Sequence, residues 1–272
     1  MIKSNVMYFN EIPYVDISNN NEADYKSLLD FKIINEGELL DYVQGEFTKL
    51  LKKNIDMSNF ASIFKNSDQQ AVVFGGWVRD RVCEFFFNRK VGFRDIDFVF
   101  NGDIESKSML NKKFTKNDFG GIELKSSFLS IDAWSLAETF LIKKNKLPIA
   151  FETLPLTADF LHNAIAFFPI EFFGFSRIVE AGSIDAIKNL YLDFKALEMP
   201  FPEMQVVRIL AQCNKMNLNR SKRVDTFLME ACSDLVGLNY YEKYLSKYCT
   251  FEERKVIESQ LSKFWDGDLL SV

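Results

Sequence analysis

Two aspartates two residues apart, Asp95 and Asp97, stand in the segment FRDIDFVFN, where apolar and polar positions alternate as they do in a strand. In a strand, residues i and i+2 project to the same side, so both carboxylates face one site. Neighbouring carboxylates repel each other and are costly unless water or a cation neutralises them. A divalent ion does this, and two ions roughly 3.5–4 Å apart clamp an in-line phosphoryl displacement. Asp132, in the alternating stretch LSIDAW, is the candidate third carboxylate. Taken alone, an Asp-x-Asp pair is also what an ordinary exposed strand face carries.

Upstream, Gly75 and Gly76 end the β-branched and aromatic run AVVF and open the helical-looking segment WVRDRVCEFFFNRK. A glycine turn between strand and helix lets backbone amides approach phosphate closely, at a helix end that favours anions. Arg79, in the first turn, offers a guanidinium fork, and Asp80 is placed to orient it or a neighbouring amide. An isolated Gly-Gly is a tight turn and nothing more. Two such signals about 20 residues apart, each at a strand end, are far more specific together.

The elements that position these residues read as follows. Apolar spacing predicts helices over 36–53 and 57–65, a strand at 71–74, the Asp95–Asp97 strand, and strands in GGIELKSS and FLSIDAW. A helix over SLAETFLIKK, a strand at 177–182 and a helix over SIDAIKNLYL follow. From Asp193 the pattern is amphipathic helix, through EMQVVRILAQCNKM, RVDTFLMEACSDL and the stretch from Glu252 to Phe264. The reading is an α+β chain: a head over 1–195, with 1–34 an irregular extension, then an all-α region over 196–272.

Composition narrows the chemistry. The chain has one histidine, His162, and four scattered cysteines, so a His-rich metal site, a zinc ribbon and a disulfide framework are all disfavoured. His162, in an apolar stretch, reads as a packing residue. Any metal would be held by carboxylates, which suits Mg²⁺ or Mn²⁺. The formal charge of −5 weighs against an extended nucleic-acid face, although Lys143, Lys144, Lys146 and Arg220 to Arg223 offer local basic patches. Tyr240, Tyr241 and Tyr244 read as a packed helix face before a base-stacking platform. No apolar run reaches the roughly 18 residues of a membrane span, and MIKSNVMYFNEIPYVD lacks the apolar core of a signal peptide, so a cytoplasmic location is expected.

The block VVFGGWVRDRVCEFFFNRKVGFRDIDFVF resembles the head of the class II tRNA nucleotidyltransferase (CCA-adding enzyme) and bacterial poly(A) polymerase family, with its GGxVRD segment and Asp-x-Asp strand. TADFLHNAIAF resembles the family's RRDFTxNA segment through Asp159, Phe160, Asn163 and Ala164. Gly182 and Asp185 match its Gly-x-x-Asp segment, and Arg208 matches the arginine of its base-selecting EDxxR helix. The likeness spans roughly residues 70–215 in the family's order. It implies a polymerase-β-like head with a mixed sheet and a helical neck. It further implies Mg²⁺ at Asp95 and Asp97, triphosphate at Gly75, Gly76 and Arg79, ribose at Asp159 and a base edge at Arg208. The reaction implied is transfer of NMP from an NTP to a hydroxyl, with a tRNA 3′ end as acceptor. Thr157 and Ala158 replace the family's paired arginines, and Met204 and Gln205 replace its Glu and Asp. The alternatives are a small-molecule or protein hydroxyl as acceptor, or a nucleotide-binding module without turnover.

Overall fold

The computed structural model describes residues 14–16, 31–65, 69–102, 115–116, 121–125, 129–196 and 198–266. The strands in chain order are β1 (Tyr14–Asp16), β2 (Lys32–Ile34), β3 (Ala71–Phe74), β4 (Asp95–Phe100), β5 (Thr115–Lys116), β6 (Ile122–Lys125), β7 (Ser130–Ser135), β8 (Ile165–Phe168), β9 (Arg177–Glu180), β10 (Tyr191–Leu192), β11 (Glu198–Pro200) and β12 (Asn219–Arg220). The chain divides into two compact units, Lys26–Lys188 and Met1–Tyr25 with Asn189–Val272.

The first unit is built on a mixed eight-stranded sheet of order β2-β9-β8-β3-β4-β7-β6-β5. Only β4 and β7 run parallel; the other neighbours are antiparallel. One face is covered by three helices, α1 (Glu38–Lys53), α2 (Ile55–Lys65) and α3 (Gly76–Phe87). Along α1, Leu40, Val43 and Phe47 recur at helical spacing and are buried, which is the amphipathic stripe the sequence carries. Phe47 is fully buried and meets Trp77, Phe98 and Phe167 edge-on, with centroids 5.8, 6.2 and 5.8 Å away. The other face is covered at one end by the segment after β7, where Leu136, Ile142, Phe151 and Leu154 pack on Val72, Val99, Ala166, Phe168 and Val179.

Several expectations change in detail. Residues 1–34 are not wholly irregular: Lys32–Ile34 is the edge strand of the large sheet, and Tyr14–Asp16 pairs with Glu198–Pro200 in the second unit. Three-residue strands are too short to show a period. The helix expected over SIDAIKNLYL stops at Lys188, because Leu190 turns left-handed at φ 50° and Tyr191–Leu192 pairs with Asn219–Arg220. SLAETFLIKK is broken at Thr139 into a 3-10 turn and a helix over Phe140–Asn145. The fully buried strand β8 (Ile165–Phe168) stands where no element was expected.

In the second unit, helices over Pro202–Met216, Lys222–Asp234, Glu242–Tyr248 and Phe251–Trp265 dominate. Their starts are signalled locally. Pro202 takes the first helical turn, the Ser221 hydroxyl accepts from the Val224 N–H, and Thr250 with Glu253 forms a reciprocal capping box. Two of the three tyrosines read as a packed face do pack: Tyr241 is buried and donates to the Leu235 carbonyl, and Tyr244 donates to Glu203, whereas Tyr240 is 48% exposed. Arg220 pairs with Asp225 at 2.5 Å and Arg223 with Asp193 at 2.9 Å, so both arginines meet carboxylates of their own unit.

Two outcomes follow from this packing. Phe47→Ala opens a cavity among three aromatic rings and is expected to destabilise the first unit by about 3–5 kcal/mol in urea denaturation. Burial pushes the thiols of Cys213 and Cys232 up to about 11, leaving roughly one part in a thousand as thiolate at pH 8. Iodoacetamide at pH 8 should therefore label Cys249, the partly exposed cysteine, well before the buried Cys83, Cys213 and Cys232; mass spectrometry of the native protein reads the order.

Candidate active site

The Gly75-Gly76 turn and the Asp95–Asp97 pair meet because β3 and β4 are antiparallel neighbours. Phe74 stands opposite Asp97, so Gly75 emerges level with the start of β4. Gly75 adopts φ 67°, ψ −118°, a conformation that a side chain resists, and its N–H donates to the Ile165 carbonyl at 2.9 Å. Its carbonyl accepts the first helical bond of α3, from Arg79 N at 3.0 Å. No side chain caps that helix start and no acidic residue lies in its first turn. The positive end of a 12-residue helix thus points out of the turn.

Register carries the carboxylates further. Asp97 pairs with Asp132 across the parallel β4–β7 contact, and Asp132 pairs with Glu123 across β6–β7. Partners in register share a face, so Asp97, Asp132 and Glu123 form one lateral row, with strands about 4.8 Å apart. Asp95 projects from the same face one pleat outward and is exposed; Asp97, Asp132 and Glu123 are half-buried. The Ser130 hydroxyl donates to Glu123 Oε1 at 3.1 Å, fixing that carboxylate at the outer end of the row. Behind the row, Phe74 and Trp134 meet edge-on at 6.5 Å and close off the apolar half of the sheet.

Glu123 was not singled out in the sequence. Its signal is a lone acid between buried Ile122 and Leu124, and only the strand register shows that it stands beside Asp132.

The donor set is entirely oxygen, which suits a hard cation. Among the described residues no three His, Cys, Asp or Glu side chains converge into a ready-made metal cage. Mg²⁺ does not demand one, since it is ordinarily held by one or two carboxylates together with substrate phosphates and water.

Arg79 is placed differently from what the resemblance implies. Its guanidinium is buried, with Nε and Nη2 donating to Asp80 Oδ1 at 2.8 and 2.6 Å and Nη1 donating to Asn163 Oδ1 at 2.7 Å. It therefore ties the glycine turn to the 161–163 segment; it is not held out toward a phosphate. Asp159 is half-buried at the head of that segment, beside Ala158, which packs with Ala164, Ala181 and Phe74. Thr157 and Ala158, in the place of the paired arginines, are both buried, and Thr157 donates to the Leu154 carbonyl at 2.8 Å. His162 is fully buried and stacked on Phe160 at 5.7 Å, a packing residue as expected. Asp185 is exposed, 3.6 Å from Lys32. Arg208 belongs to the second unit, where its Nη1 donates to Gln205 at 3.1 Å.

No family model matches this sequence, and no curated protein matches it. Solved structures do. A CCA-adding enzyme in complex with ATP superposes with a TM-score of 0.56 at 16% identity, over 84% of this chain and 55% of its own. The fold is that of the CCA-adding enzymes. The Thermotoga maritima CCA-adding enzyme complexed with tRNA matches at TM-score 0.51 and 17% identity, over 80% of this chain and 55% of that one. A tRNA nucleotidyltransferase complexed with a primer tRNA and an incoming ATP analog matches at TM-score 0.52 and 16% identity, over 75% and 60%. This chain thus spans a little over half the length of these CCA-adding structures.

The Arg79 contact is testable by itself. Asn163→Ala leaves a buried guanidinium N–H without its acceptor and is expected to cost about 1–3 kcal/mol in urea denaturation. Asn163→Asp keeps an acceptor and should retain most of that stability.

Proposed function

We propose that this chain is a metal-dependent nucleotidyltransferase, moving NMP from an NTP to an acceptor hydroxyl with release of pyrophosphate, and that the acceptor is an RNA 3′ end of the tRNA type. The observation that carries the reading is the register of Asp97 with Asp132 and Glu123, beside a glycine turn that opens α3. The fold shared with CCA-adding enzymes solved with ATP, CTP and tRNA supports the choice of substrates.

In this reading Asp95 and Asp97 hold Mg²⁺, with Asp132 and Glu123 beside them. When bound, the ion supplies charge neutralisation at the phosphates and lowers the pKa of the attacking hydroxyl. The chain's own groups do the positioning. The turn at Gly75 and Gly76 presents the first amides of α3 to the triphosphate. Arg79, Asp80 and Asn163 hold that turn against the segment bearing Asp159, to which the resemblance assigns the ribose. Phe74 and Trp134 wall the acidic row on its apolar side, which strengthens charge interactions in front of them. The acceptor oxygen bonds to the α-phosphorus as the bond to the pyrophosphate oxygen breaks.

A second reading, nucleotide binding without transfer, is favoured by the burial of Thr157 and Ala158 where cations are expected. One assay separates the two. Purified protein is incubated with α-labelled ATP or CTP, Mg²⁺ and total RNA, and label entering RNA is counted. Asp97→Asn should lower incorporation by about 10³-fold or more without changing the unfolding transition. Full incorporation by that variant refutes the transferase, whereas nucleotide binding with no incorporation by the wild type favours the module.

A further inference from the structure

Between α3 and β4 the chain passes through residues 88–94 without regular secondary structure. One buried ion pair holds this connector. Glu84 Oε1 accepts the Val91 N–H at 2.7 Å, and Arg81 Nη2 donates to the Val91 carbonyl at 2.7 Å. Arg81 and Glu84 lie 3.1 Å apart, one turn along α3, with side chains only 6% and 3% exposed. Tyr42, on α1, donates to Glu84 Oε2 at 3.1 Å. The Arg81 guanidinium lies 4.9 Å from the Phe93 ring centroid and 5.6 Å from that of Trp77. The connector is therefore gripped at Val91 and Phe93, and Asp95 follows two residues later.

Apolar side chains of similar volume would fill this space without stripping water from two charges. They would not supply a donor and an acceptor to the same backbone residue. The pair lies between the two parts of the candidate site: α3 begins at the glycine turn, and the connector ends at β4, which bears Asp95 and Asp97. We propose that Arg81 and Glu84 are positioning residues whose hold on Val91 sets where the Asp95 end of β4 lies relative to the glycine turn. The functional consequence rests on the nucleotidyltransferase reading; the mechanical one does not. Tyr42 completes the arrangement as a permanent donor, its hydroxyl pushed up to about 12 by burial first and by Glu84 second.

The test uses the full chain and the variants Glu84→Leu and Glu84→Gln. Amide hydrogen exchange of peptides covering 89–97 reads the connector, and Mn²⁺ titration by electron paramagnetic resonance in the presence of ATP reads the site. Glu84→Leu should raise exchange over 89–97 by about tenfold or more while leaving 71–74 unchanged. It should also weaken Mn²⁺ binding by about tenfold, the usual scale for a residue that supports a metal ligand. Glu84→Gln keeps an acceptor for Val91 and should move both readouts by no more than about threefold. Unchanged exchange over 89–97 in Glu84→Leu overturns the proposal, and so does faster exchange with Mn²⁺ affinity intact. If Glu84→Leu does not fold, Arg81→Lys carries the test, because an ammonium lacks the fork that reaches the Val91 carbonyl; unaltered exchange there overturns it equally. A wild type that binds no Mn²⁺ with ATP refutes the transferase reading instead, and exchange alone then decides whether the clamp exists.

Discussion

Like charges in strand register are the constraint on which the rest of this site depends. Asp97, Asp132 and Glu123 occupy adjacent positions across three strands. Two unit charges at a strand spacing repel by roughly 1 kcal/mol in bulk water and by about 3 kcal/mol at an effective dielectric of 20. Partial exposure of all three keeps the cost toward the lower figure. A fold tolerates such a row where water or a cation offsets it, and the proposed chemistry supplies the cation.

The same register shows how the sheet pays for this locally. Followed from the opposite edge, the lateral row reads Ile33, Val179, Ala166 and Phe74 before it reaches Asp97, Asp132 and Glu123. Of its apolar half, Val179, Ala166 and Phe74 pack with the segment that carries Leu136, Ile142, Phe151 and Leu154, while Ile33 at the edge is exposed. The change of character falls between two neighbouring strands, at the contact of Phe74 with Asp97. Hydrophobic burial on one side secures the strands whose far ends carry the repulsion. On the reverse face, Phe98 and Ile131 are buried, so the acidic strands are anchored from behind as well.

Much of this was legible in the sequence, for reasons that differ by residue. AVVF followed by Gly-Gly announces a strand and a turn through side-chain branching and backbone freedom, both local properties. Asp95 and Asp97 announce a shared face through a period of two, which is also local, and Asp132 announces only its own alternating strand. Glu123 is chemically just as visible, but its place beside Asp132 depends on pairing between strands, and register has no local signature. Arg81 and Glu84 look like an ordinary helical i, i+3 pair. Only the return of the connector over them reveals what they bind. Arg79 illustrates the reverse case. Residue type and motif assign it an outward role, whereas burial and three hydrogen bonds turn it inward.

That inward turn alters how a polyphosphate would be held. With Arg79 engaged by Asp80 and Asn163, and with Thr157 and Ala158 packed where two arginines are expected, three cations of the family pattern are not presented by those positions. Positive potential must then come from elsewhere. The uncapped start of α3 contributes about half a unit charge directed out of the glycine turn. Arg89, Lys90 and Arg94 are exposed on the connector, and that connector is the one fixed by Arg81 and Glu84. The three features thus depend on one another: the clamp that sets the carboxylate strand also carries the exposed cations nearest to it in sequence. In the proposed reaction, a weaker set of protein cations places more of the triphosphate's neutralisation on the metal, and so on the acidic row that would bind it.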